Sequence, residues 1–362
     1  MAFIIEITDI PSDQFAVEAH KQMENGAVKV EKIVQADGLL TLRATYSDDA
    51  AESKASPDML ARVTGASRPM ATRSADTERR LPRSLSGHGT FFYNARATIA
   101  EYGSVQNTVD ALRRAGMQHA WVRIHGTHPH GPGDGSIVQE LVGALEEANI
   151  AVAGWGWCQG ANAVSDAKMA IRELRRYGLS DYVADIEHGT NNAQWTSDEV
   201  KEFCAAVRDQ VDGGFAISTY PLIDWHNPEL MTAALEFVDA FAPQIYWFNF
   251  PNRRMVDQFQ KPSGGKYPQN QAGAYVDLCL DRWVTLMGAR SRPLVATGQA
   301  YWGEGNTEAE ANAKLAEFLN NWNGFQRIAG LNWWHFGGGG AMSHAMFEAI
   351  VAADLGNKQY ES

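Results

Sequence analysis

Cysteine is scarce: Cys158, Cys204 and Cys279 are the only three in a chain of 362 residues. An odd number with no CxxC pair builds neither a disulfide framework nor a zinc site, which points to synthesis in a reducing compartment. Long apolar runs are missing as well. Stretches such as Phe3 to Ile5 fall far short of the roughly 18 residues that cross a bilayer, so no membrane span is expected. Met1 to Gln14 carries acidic residues where a signal peptide needs a basic start and a long apolar core, so none is expected there. Positive charge is in deficit, with 31 Lys and Arg against 43 Asp and Glu for a formal net charge of −12, which argues against a nucleic-acid partner. After the first barrel-type strand described below stands only Asn94-Ala95-Arg96, with no Gly-rich phosphate loop, and no cofactor is expected.

Tryptophan is abundant, with 11 residues, and the chain is 45% hydrophobic and 20% charged, the composition of a core-forming protein. An indole excess serves packing or the binding of flat apolar faces such as sugar rings. Three zones follow one another. Residues 1–46 read as a β-α-β-β unit: a strand over Phe3 to Ile7, a helix after Ser12, and a hairpin of 28–34 and 39–45 around Asp37-Gly38. So small a unit has a marginal core and is expected to oligomerise or dock on a protein carrier. Residues 47–87 are rich in Ser, Ala, Pro and Arg without apolar period, and read as a flexible basic linker.

Residues 88–362 alternate strand and amphipathic helix. Strands are expected over 90–95, 119–125, 150–157, 182–187, 215–220, 241–248, 293–301 and 328–336. Helices are expected over 104–115, 136–148, 163–177, 197–212, 229–238, 273–288, 307–322 and 344–355. Eight such units in about 270 residues, with strands apolar on both faces, are the pattern of a (β/α)8 TIM barrel, preferred over an open doubly wound sheet.

A TIM barrel works at the C-terminal ends of its strands, and those ends are rich here. In order they deliver Tyr93 and Asn94, Arg123 and His125, Trp155 and Trp157, Asp185 and Glu187, Tyr220, Gln244 and Tyr246, Tyr301, and Trp334 with His335. Aromatic faces among amide, phenol and imidazole groups suit a neutral polyhydroxyl ligand. Asp185-Ile186-Glu187 is the sharpest motif. Residues i and i+2 of a strand face one way, so both carboxylates enter one site, where mutual repulsion keeps one protonated beside an ionised partner. Glycoside cleavage uses such a pair. Elsewhere a DxE would cap the next helix or pair with an arginine such as Arg123. Packing alone equally explains Trp155, and a satisfied core phenol Tyr246. His125, His128, His130 and Asp134 lie in a Gly- and Pro-rich loop without fixed geometry, so no metal is expected.

Strand four ending in Asp-x-Glu, strand five in Ser218-Thr219-Tyr220 and strand eight in a Trp-rich segment together resemble the family 25 glycoside hydrolases, muramidases of the bacterial wall glycan. The barrel is also similar to the family 18 chitinases and endo-N-acetylglucosaminidases. The chain departs from family 25 at Tyr93-Asn94, where an aspartate is usual, and from family 18 at Val183, where an acid is usual. The resemblance implies that Glu187 is the general acid, that Asp185 orients a substrate acetamido group, and that Tyr246 stabilises the reacting centre. It implies a hydrolase of N-acetylhexosamine glycan, peptidoglycan first and chitin second. A non-catalytic carbohydrate-binding or structural barrel of a phage tail or secretion apparatus is the alternative. Such a protein, made in the cytoplasm, would reach the wall by lysis, a phage particle or a secretion machine.

Overall fold

The computed structural model describes residues 3–10, 29–34, 40–46, 81–126, 135–160, 162–190, 193–225, 228–288, 292–303, 306–338 and 342–361. The helix expected after Ser12, most of the 47–87 linker, and His128, His130 and Asp134 lie outside these residues. The chain divides into two compact units, Met1–Glu78 and Arg79–Ser362. In the first, β1 (Phe3–Ile10), β2 (Lys29–Val34) and β3 (Leu40–Tyr46) form an antiparallel sheet in the order β1-β3-β2. Its hairpin register runs from Val34 opposite Leu40 to Lys29 opposite Thr45.

The second unit is a closed barrel of eight parallel strands, a TIM barrel. They are β4 (Gly87–Phe92), β5 (His119–His125), β6 (Ala151–Cys158), β7 (Tyr182–Ile186), β8 (Phe215–Thr219), β9 (Ala240–Ile245), β10 (Val295–Gln299) and β11 (Gly330–Trp334), with β11 pairing back onto β4. The helices between them are α1 (Ala95–Tyr102), α2 (Val105–Arg114), α3 (Gly135–Glu147), α4 (Ala163–Tyr177), α5 (Ser197–Gln210), α6 (Pro228–Ala234), α7 (Arg253–Gln258), α8 (Ala272–Met287), α9 (Glu308–Asn321) and α10 (His344–Ala352).

Two of these helices are not foreseen by apolar period. α1 buries only Ala95 and Thr98, and α7 only Met255. Both are set by their caps instead, since the Asn94 and Asn252 side chains accept from Ala97 N and Met255 N. The first barrel strand also begins earlier than expected, at Gly87 rather than Thr90. Glycine reads against a strand, yet a Cβ on Gly89 would lie 2.3 Å from the His119 ring, so the close approach of β5 requires it.

Alternation along the strands divides the core. Outward side chains such as Ile186, Phe215 and Trp333 meet the helices. Inward ones, among them Phe91, Trp121, Ala153, Trp155, Val183 and Val295, fill the barrel. The bottom is closed by the Arg83–Leu85 turn: Leu85 is fully buried, and the Trp121 indole donates to Ser84 O at 2.6 Å. A polar layer follows, in which His119 Nε2 meets Asn332 Oδ1 at 2.7 Å. Burial pushes His119 down to about 4, so it stays neutral at pH 7.

Candidate active site

At the open end of the barrel, β7 finishes with Asp185 inward and Ile186 outward, and Glu187 follows on the inward side. One amide joins the carboxylates: Gln244 Nε2, from the end of β9, donates to Asp185 Oδ1 at 3.0 Å and to Glu187 Oε1 at 2.8 Å. It also reaches Ser218 Oγ at 3.2 Å. Neither competing role is filled by the acidic pair. Helix α5 is capped by a box of Thr196 and Glu199, and no ion pair joins Arg123 to either acid among the described residues.

Asp185 is 4% exposed and Gln244 9%. Burial pushes the Asp185 carboxyl well above the ordinary range, and the Glu187 charge adds to it, against hydrogen bonds from Ser218 and Gln244 and the field of Arg123. Burial also raises Glu187, opposed by hydrogen bonds from Gln244 and Thr190. The pair therefore titrates as a unit whose first proton is lost above the usual carboxylate range. An acid able to give a proton thus stands beside an ionised partner.

Phenols flank the pair. The Tyr246 and Tyr301 rings meet edge to face at 5.3 Å, and burial with the nearby Tyr301, Asp185 and Glu187 holds the Tyr246 hydroxyl strongly protonated. It can therefore donate but not supply charge. Tyr220 hydrogen-bonds Thr190 and donates to His188 O at 3.2 Å, bracing the loop that carries Glu187.

The opposite wall is aromatic and cationic. Tyr93 stacks on Trp155 at 6.5 Å and meets Trp334 at 5.7 Å, while the Arg123 guanidinium lies 4.7 Å from the Tyr93 ring centre. Trp155 is 1% exposed and donates to Phe92 O, so it is the floor of the site. Trp157, level with Asp185 in the β6–β7 register, is only half-buried. His335 is buried against Tyr93 at 5.4 Å.

Two expected site residues stand elsewhere. His125 follows a register irregularity between Arg123 and His125, which turns it to the helix side. There its Nε2 meets Tyr182 Oη at 2.7 Å, and burial lowers it to about 3. Asn94 is exposed and spent on capping α1. Ser218 and Gln299 are also the last inward residues of their strands. Both were legible as such, since Ser218 alternates with Ala216 and Gln299 with Thr297. Among the described residues no cluster of His, Cys, Asp and Glu could hold a metal ion, and no helix is long and apolar enough to cross a membrane. All three cysteines are free and buried.

No protein-family model matches the chain, and no curated protein does. It is similar in structure to a GH18 chitinase from Pseudoalteromonas aurantia, at 11% identity and TM-score 0.48 over 74% of this chain and 100% of that one. A fungal β-1,4-galactanase aligns at 8% identity and TM-score 0.49, over 74% and 99%. A xylanase-A-amylase inhibitor protein aligns at 14% and 0.47, over 75% and 98%. These likenesses are of barrel architecture alone, and the family 25 resemblance gains nothing from them.

Proposed function

We propose that the barrel is a glycoside hydrolase acting on N-acetylhexosamine glycan, with peptidoglycan as the substrate. The observation that carries this reading is the Asp185–Glu187 pair held by one Gln244 amide between an aromatic wall and two phenols. Glu187, the less buried of the two acids, gives its proton to the glycosidic oxygen as the bond to the anomeric carbon breaks. Asp185 accepts from the acetamido N–H of the sugar, so that the acetamido oxygen closes on the anomeric carbon, and the Tyr246 hydroxyl donates to that oxygen. The Glu187 carboxylate then takes a proton from water, whose oxygen replaces the acetamido oxygen. The anomeric configuration is retained.

A second reading, a carbohydrate-binding barrel without cleavage, is favoured by one feature: Tyr93 directly follows the first barrel strand, where a third acid would serve a muramidase. Titration of chito-oligomers and peptide-free muroglycan oligomers, with mass spectrometry of the products, separates the two. Cleaved products support the hydrolase; binding with intact ligand supports the second reading.

A further inference from the structure

Among the described residues Arg123 is the one cation in the wall of the site, and none of them forms an ion pair with it. It projects inward from β5, is 6% exposed, and lies over the Tyr93 ring at 4.7 Å and the Trp155 ring at 5.8 Å. Among the described residues its Nε is buried with no hydrogen-bond partner, and no carboxylate comes within ion-pair distance. Asp185 acts on it only through its field, and burial outweighs that field together with the Tyr93 hydroxyl, so the guanidinium is held below its usual affinity for protons. Gly126 lets the backbone approach closely, since a Cβ there would lie 2.8 Å from one terminal guanidinium nitrogen. A buried guanidinium left without a counter-ion costs stability, and its planar fork matches a carboxylate.

We propose that Arg123 is a specificity-determining residue that receives a carboxylate borne by the substrate sugar. This rests on the glycan-hydrolase reading and narrows it to acidic N-acetylhexosamine glycans. The carboxylate can stand on a carboxyalkyl ether, as in muramic acid freed of its peptide, or on a neighbouring uronic acid. The Tyr93 and Trp155 faces take the apolar side of the ring while the guanidinium takes its charge.

The test uses the full chain carrying Glu187→Gln, so that no ligand is cut. Four ligands are titrated at one salt concentration: peptide-free muroglycan oligomers, the same oligomers with the carboxylate reduced to an alcohol, hyaluronan oligomers, and neutral chito-oligomers. The expected result is tighter binding of a carboxylate ligand than of its reduced or neutral counterpart by about 30-fold. The muroglycan and hyaluronan arms identify which carrier of the carboxylate fits. Adding Arg123→Gln should erase the preference, and Arg123→Lys should restore part of it. Equal affinity for the carboxylate oligomers, their reduced forms and the neutral oligomers overturns the inference and leaves the hydrolase reading intact. Failure of every oligomer to bind defeats both. The comparison of native and reduced oligomers needs no change at Arg123, so it stands even if Arg123→Gln fails to fold.

Discussion

Asp185 and Glu187 were readable in the sequence because strand period two is insensitive to small errors in strand boundaries. Their bridge through Gln244 depends on two strands that are not neighbours in the barrel, a relation no local pattern encodes. The burial that tunes Asp185 has a cost. A carboxyl raised in the folded state favours folding below its unfolded value near 3.8, and that contribution is lost as pH rises through the folded value. Asp185→Asn keeps an oxygen for the Gln244 amide and removes the charge. It should therefore stabilise the protein at pH 7, with the gain fading toward pH 4. Thermal melts of both proteins at the two pH values check this; a gain independent of pH would contradict it. Activity should follow a bell whose alkaline limb lies above the ordinary carboxylate range. In Glu187→Gln the residual activity should lack that limb, and a pH–rate series decides.

Elements were legible where apolar period sets them and illegible where caps or bulges do. The eight strands and the long helices came from alternation and period, whereas α1 and α7 rest on Asn94 and Asn252. Asn94, expected at the site, caps α1. His125 was misplaced because the irregularity before it reverses the parity on which inward-facing positions are counted. Strand β6 carries a contrast that can be measured. Trp155, in the barrel interior, should cost about 3–5 kcal/mol of stability when cut to Ala. Trp157, half-buried with its indole nitrogen unpartnered among the described residues, should cost less and should lose glycan affinity instead. Denaturant unfolding and ligand-induced quenching of tryptophan fluorescence on the two variants separate the roles; equal stability losses with unchanged quenching would make both indoles mere filling.

On the scale of the molecule, strand pairing closes within the second unit, and its floor is supplied by Ser84 and Leu85. The boundary expected from composition at residue 88 misses that floor, because a short turn amid polar residues has no apolar period to announce it. A fragment beginning at Arg79 should therefore melt near the temperature of the whole chain, and one beginning at His88 should melt well below it. Calorimetry of the two fragments is the check, and equal melting would remove the floor from the account. Residues 1–46 remain our proposed docking unit for a protein carrier, to be tested by co-purification with and without them. The central claim, acid catalysis by Glu187, is met most directly by the cleavage rate of peptide-free muroglycan oligomers by wild type and Glu187→Gln at saturating substrate. The account predicts product release by wild type and a fall of about 10²–10⁴-fold in the variant with ligand affinity retained. Cleavage by Glu187→Gln at the wild-type rate would contradict it.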